Sequence, residues 1–402
     1  MKKNIKYFFC LLTVLFIFSG CTEDNPIIPP AVEDHSPMWP MIGYNARHTG
    51  NPNSIRVNML PVNEGTIYWI DTLASHPRDD GGEASIDAMG NIYHLSTTNE
   101  SYGVINKFRP DGSIIWSIDT FYSNALCGFA LSNDETKFYC QDYEFLYCID
   151  SSGKKLWRMF DAKSATIPII GRDGTIYDAT QEKLTAITPE GNIKWRLASS
   201  EGSAVGWPAI DKEDNIYFYS YQNYTDCKIT KATKDGNILW EYGNFTHNIC
   251  SFSVVIDAAN NIYFTSTDKL ISLNKEGKLR WDKLIYPQCV PAITWDNKII
   301  IDSLGLNIMA LDTLGNFLWS TGISNSNYRK AEHSIVLDDN QNIYFLSEGY
   351  YEFKAFSLDI AGNIRWICPL PSYWMGTTGP VLSPKGYLFG TPKRPFLVFS
   401  VK

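Results

Sequence analysis

The residues best suited to recognition chemistry in this chain are Trp207, His247, Tyr286, Arg329, His333, Tyr373 and Trp374. All lie in stretches of varied sequence between more regular segments. Aromatic rings stack on apolar or sugar faces, and an arginine fork pairs with a carboxylate, so a converging set of this kind suits a peptide or a glycan. Their structural alternative is to plug and pack the connectors. His247 and His333 are isolated histidines, which more often serve as polar loop residues than as metal ligands. Tyr102, Tyr224, Tyr350 and Tyr351 lie in shorter connectors of the same kind. No catalytic set, metal set or cofactor is expected from these residue types.

Nine cysteines require an account. Cys10 falls in an apolar run from Tyr7 to Phe18, preceded by Lys2, Lys3 and Lys6 and followed by Ser19, Gly20 and Cys21. A basic start, a short apolar stretch and small residues make an export signal, here residues 1–20. The run is too short to span a bilayer, which takes roughly 20 helical residues. Phe18-Ser19-Gly20-Cys21 resembles the bacterial lipobox, and that resemblance implies cleavage before Cys21 and acylation of its sulfur and new amino group. Several acyl chains give a stable anchor where one does not. Residues 21–38 hold Glu23, Asp24, Pro26, Pro29, Pro30 and Pro37, and read as an acidic start followed by an extended tether. The expected address is the outer membrane, on its periplasmic or cell-surface face. Of the remaining cysteines, Cys127, Cys140, Cys148, Cys227, Cys250, Cys289 and Cys368, none forms a C-x-x-C pair, which argues against zinc or thioredoxin-like chemistry. Cys140 and Cys148 flank a hairpin near Glu144 and are close enough in sequence to face each other. Buried free thiols are the favoured reading, because cysteine packs as a small apolar residue.

The 402 residues carry a net charge of −8, with 14% aromatic and 19% charged side chains. That ratio excludes a mainly disordered chain. Removal of the first 20 residues deletes three lysines and no acid, so the body is more acidic still. An acidic body repels phosphate backbones, which disfavours nucleic acid as a partner.

These residues are positioned by a repeat. Glu64-Gly65 leads to Trp69, Asp111-Gly112 to Trp116, Ser152-Gly153 to Trp157 and Glu190-Gly191 to Trp195. Asp235-Gly236 leads to Trp240, Glu276-Gly277 to Trp281, Leu314-Gly315 to Trp319 and Ala361-Gly362 to Trp366. The tryptophans recur every 38 to 47 residues, a propeller-blade period. Within each period, runs such as Asp214-Asn215-Ile216-Tyr217 and Gln341-Asn342-Ile343-Tyr344 read as a tight turn followed by a strand. No segment has a helical period. The pattern predicts an all-β, eight-bladed propeller over residues 39–402 as a single domain. Each blade has four antiparallel strands, A to D, and each tryptophan wedges between blades from strand D. The ring is expected to close by pairing an N-terminal strand D with C-terminal strands A–C, which removes an open edge.

Ala310 to Trp319 and the opening segment Trp39 to Gly50 resemble the PQQ-like β-propeller repeat family. The resemblance covers nearly the whole body, and its lipoprotein branch contains the outer-membrane assembly factor BamB. Other members are quinone-dependent dehydrogenases, which use PQQ, a Ca²⁺ ion and a ring disulfide of adjacent cysteines. No Cys-Cys pair and no clustered acid and amide set occur here, so the enzyme branch, with PQQ and Ca²⁺, is disfavoured. The resemblance implies a non-catalytic, lipid-anchored scaffold whose partner is an outer-membrane or surface protein or peptide. A glycan- or small-ligand-binding surface lipoprotein is the alternative.

Overall fold

Alternation of apolar and polar residues between Asp/Asn/Gly turns leaves this chain little choice but short antiparallel strands. The structure is a computed structural model. It describes residues 60–71, 84–99, 102–122, 128–142, 144–160, 167–180, 183–198, 204–222, 226–245, 253–304, 307–323, 328–331, 333–349, 353–370, 379–390 and 398–401. The chain divides into two compact units, Met1–Asp34 and His35–Lys402, and all described residues belong to the second. They form strands and no helix.

The expectation of eight equivalent four-stranded blades is corrected on two counts. Seven blades, not eight, are built each from one continuous stretch of chain: residues 85–122, 129–160, 169–198, 204–245, 255–284, 292–322 and 328–370, here blades 1 to 7. Blades 4 and 7 carry five strands rather than four. The remaining sheet is a composite of both chain ends, in which Ile67–Asp71 pairs antiparallel with Val398–Val401, beside Leu388–Gly390 and Val381–Leu382.

The extra strands arise where strand A is interrupted. In blade 4, Ala204–Val205 and Ala209–Ile210 both pair with Ile216–Gln222. Between them lies Pro208, which has no N–H for the ladder. In blade 7, Tyr328–Ala331 and Val336–Leu337 share the strand Ile343–Gly349. There the intervening His333–Ser334 pairs instead, in parallel, with Cys289–Val290 ahead of blade 6. This small parallel ladder joins the inner edges of two neighbouring blades.

The cores lie between blades. One cluster joins Tyr93 and Ile105 of blade 1 to Phe138 and Tyr147 of blade 2, and another joins Ala186 of blade 3 to Phe218 of blade 4. The cluster at the junction of the chain ends contains Leu346 and Phe353 of blade 7, Leu382 and Phe389 of the composite sheet, and Ile86 and Ile92 of blade 1. Burial of apolar surface therefore continues across the junction of the chain ends.

The tryptophans dock one blade onto the next. Trp116 Nε1 donates to Ser151 O at 3.1 Å, Trp195 Nε1 to Lys234 O at 2.8 Å and Trp281 Nε1 to Thr313 O at 2.9 Å. Trp366 Nε1 reaches Val62 O at 2.9 Å, and Arg365 Nη1 reaches the same oxygen at 3.2 Å, so the N-terminal segment is clasped by blade 7. Strand-B tyrosines back these rings from within six of the seven blades, as Tyr217 does Trp240 at 5.9 Å between centroids; blade 6 has Ile300 at that position. The Asp-x-x-x-Asn-Ile-Tyr runs are Asx turns. Asp211 Oδ1 accepts from the Asn215 amide and Oδ2 from the Tyr217 hydroxyl, both at 2.9 Å, and Lys231 Nζ lies 3.3 Å from Oδ2. A buried carboxylate is tolerated there because its lone pairs and charge are matched.

Candidate functional site

In an A–D meander, the A–B and C–D turns share one face and the B–C and D–A connectors share the other. On the turn face, neighbouring blades are laced together. Glu135 Oε1 accepts from Ala88 N at 2.8 Å, Asn133 Nδ2 donates to Gly171 O at 3.1 Å, and Asn260 Nδ2 donates to Glu213 Oε1 at 3.1 Å. Trp295 N donates to Gln341 Oε1 at 2.9 Å. Burial, reinforced by the charges of Asp87 and Asp134, pushes the Glu135 carboxyl up to about 7; the Ala88 N–H and Lys107 oppose the shift.

The connector face carries the better-formed exposed feature. Strand D of blade 5 ends at Leu284, and the chain crosses to blade 6 through residues 285–291. Ile285 N and Tyr286 N both donate to Asp268 O at 2.9 Å. Ser303 Oγ donates to Ile285 O at 2.8 Å, and Leu304 N to Tyr286 O at 3.0 Å. The fully buried Asp302 carboxylate accepts from Gln288 N at 2.8 Å and Cys289 N at 2.9 Å through Oδ1. These ties hold Tyr286 at φ 56° and Leu304 at φ 57°, left-handed backbone that costs a side-chain-bearing residue about 1–2 kcal/mol each. Both side chains point out, with Tyr286 43% and Leu304 54% exposed. Two strained, cross-tied residues thus present an aromatic ring and an aliphatic group to solvent.

Among the residues singled out from sequence, Tyr286 is the one whose described side chain stands clear. Trp207 is half-buried, in the interruption of strand A in blade 4, and packs against the core between blades 3 and 4. Arg329 lies at an irregularity in the pairing of Tyr328–Ala331 with Ile343–Gly349, and its side chain falls outside the described residues. The His333 backbone pairs with Cys289, and its side chain is likewise outside. His247, Tyr373, Trp374 and Cys21 lie outside the described residues altogether. Of the blade tryptophans, Trp116, Trp157, Trp195, Trp240, Trp281, Trp319 and Trp366 each bond to a carbonyl of the next segment; the Trp69 side chain is outside. Sequence reasoning missed Leu304 and Asp302. The signal available for them was an Asp-Ser pair closing strand B just ahead of a connector.

Cys140, Cys148, Cys227, Cys289 and Cys368 are buried and form no disulfide among the described residues. Cys140 stands opposite Tyr147, and Cys148 opposite Tyr139, so the two thiols lie one position out of register. Among the described residues, no group of three or more His, Cys, Asp or Glu is placed to hold a metal ion.

No family model matches the chain, and no curated protein matches it in sequence. Solved structures match in fold. BamB from Moraxella catarrhalis superposes with a TM-score of 0.61 at 13% identity, covering 83% of this chain and 99% of that one. The Dos1 propeller gives 0.60 at 9% identity, over 84% and 94% of the two chains. A streptogramin B lyase gives 0.52 at 15% identity, over 78% and 98%. The chain is an all-β propeller similar in fold to BamB, and that fold also carries a lyase, so the fold by itself does not assign an activity.

Proposed function

We propose that this chain is a non-catalytic, lipid-anchored propeller that docks a protein or peptide on its connector face at the bacterial outer membrane. The Tyr286–Leu304 pair carries the reading. Backbone strain held by six hydrogen bonds involving Asp268, Asp302, Ser303 and Leu304 turns two largely apolar side chains outward, where they add nothing to the core. The basic and apolar start of the chain, ending in Phe18-Ser19-Gly20-Cys21, supports the anchor, and the fold likeness to BamB agrees with a scaffold role. Rigid aromatic and aliphatic anchors of this kind bind at low entropic cost.

The test is a photo-crosslinking residue placed at position 286 of the full chain in intact cells, with position 279 on the outer edge as the comparison. One dominant envelope-protein adduct at 286 and none at 279 is expected. Equal labelling at both positions, or an adduct to glycan alone, refutes protein docking through this pair. Membrane fractionation of Cys21→Ala tests the anchor separately: the variant should leave the membrane fraction, and retention there as a processed form defeats that part.

A further inference from the structure

Blade 2 departs from the others at its outer edge. Its strand D, Lys155–Phe160, ends the sheet, so one side of its backbone has no neighbouring strand among the described residues. Phe160 lies three residues after the blade tryptophan, and no other blade has an aromatic there. Phe160 is 63% exposed, and Arg158, on the same face of the strand, is also exposed. Their cross-strand partners are Phe145 and Tyr147. The Arg158 guanidinium lies 4.4 Å from the Phe145 ring centroid, and Phe160 meets Phe145 edge-on at 5.7 Å.

Arg158 is shelved but not neutralised. The nearby Asp142 carboxylate is engaged otherwise: Oδ1 accepts from Glu144 N at 2.9 Å and Phe145 N at 2.7 Å, and Oδ2 accepts from the Tyr147 hydroxyl at 2.8 Å. Among the described residues, Arg158 has no carboxylate within ion-pair distance. Stacking on an aromatic ring fixes the plane of the guanidinium, which also meets the Tyr147 hydroxyl, and the guanidinium keeps further N–H donors for an incoming carboxylate. A charge on an edge strand ordinarily discourages pairing. Here, though, the charge is positive on an acidic chain, lies flat, and has an exposed ring two residues on, so it selects a partner as well as repelling others.

We propose that the outer edge of blade 2 takes an extended, acidic protein segment as an added strand. A carboxylate side chain of that segment sits on Arg158, and an apolar side chain two residues away sits against Phe160. Side chains two apart on an added strand face the same way, matching the spacing of Arg158 and Phe160. The inference stands on blade 2 alone and does not depend on Tyr286 and Leu304.

The probe is an end-blocked fluorescent octapeptide with glutamate and leucine two residues apart, separated by threonines, read by anisotropy with the full chain. It should bind at least tenfold tighter than its glutamine analogue. Arg158→Gln should abolish that preference. Arg158→Glu should invert it toward a lysine analogue. Phe160→Ser should weaken both peptides alike. A peptide N-methylated along one edge should fail to bind. Absence of binding, equal affinity for the glutamate and glutamine peptides, a preference that survives Arg158→Gln, or full binding of the N-methylated peptide overturns the proposal. Tyr286→Ala with Leu304→Ala should leave this binding intact, which separates its failure from that of the connector-face reading.

Discussion

The docking of tryptophan over glycine sets a steep local penalty that can be worked out at Gly362. Its φ is +87°, and a methyl group added there would lie 2.5 Å from Trp319 Cε3, 2.8 Å from Cδ2 and 2.9 Å from Thr321 Oγ1. None of these atoms is free to withdraw. Trp319 Nε1 is tied to Ile360 O at 3.1 Å, and Thr321 Oγ1 donates to the Gly362 carbonyl. Alanine in left-handed backbone costs about 1–2 kcal/mol. Displacing the indole forfeits a hydrogen bond of about 1 kcal/mol and a further 1–2 kcal/mol of apolar contact. Gly362→Ala should therefore destabilise the fold by about 3–5 kcal/mol by these terms. Gly322, at the end of a strand in the preceding blade, is the comparison, because a methyl group there meets only Asn307 Oδ1, at 3.7 Å. Gly322→Ala should be neutral or stabilising by up to about 1 kcal/mol. Urea unfolding with m held constant reads both. In a double-mutant cycle, Trp319→Ala should reduce the Gly362→Ala cost to the backbone part and the remaining Thr321 contact. If Gly362→Ala costs no more than Gly322→Ala, or the cycle shows no coupling, the docking argument fails.

Two further predictions follow from charge and thiol chemistry. Burial raises the Glu135 carboxyl from 4.5 to about 7, so its stabilising contribution is complete below the unfolded value and is lost as pH rises through 7. Glu135→Gln should match the parent at pH 4 and exceed its stability at pH 8, by about 1–2 kcal/mol after allowance for solvent screening; equal stability at both pH values refutes the assignment. Burial pushes the Cys148 thiol up to about 11 and raises Cys140 and Cys368 as well. Alkylation mapped by mass spectrometry should therefore spare these three until the chain is unfolded, and rapid native labelling of any of them would contradict their burial.

What could be read from sequence was what is local. Gly-x-x-x-Trp and Asp-x-x-x-Asn-Ile-Tyr each close within a few residues, so strand D, the A–B turn and the blade period followed directly. The blade number did not follow, because counting tryptophans counts copies of strand D. Ile67–Asp71 is such a strand, but among the described residues no strands A–C precede it, and it joins the C-terminal strands in a composite sheet. The five-stranded blades were illegible for a similar reason. Whether strand A breaks at Pro208, or lets His333–Ser334 pair with Cys289–Val290 some 44 residues earlier, depends on the neighbouring blade. Tyr286 was visible as an aromatic in a connector, and so was Trp207. Composition could not say that one is turned out by backbone ties and the other packs inward.

That difference follows from how the ring is fastened. Inter-blade cohesion is carried by buried clusters, by the tryptophan-to-carbonyl bonds at the outer rim and by the side-chain bridges of the turn face. Most of these demands fall on strands B and D and on the tight turns, where the repeat is regular. Residues on the connectors, and side chains beyond the tryptophan on strand D, are largely released from them. At released positions an outward pair such as Tyr286 and Leu304, or a ring such as Phe160 beside an arginine that has no carboxylate partner among the described residues, is kept without unlocking a blade. Departure from the repeat is therefore the more informative sign of function in this chain. By that criterion the turn face, for all its charged residues, is framework, while the blade 5–6 connector and the blade 2 edge are the places where a partner would be met.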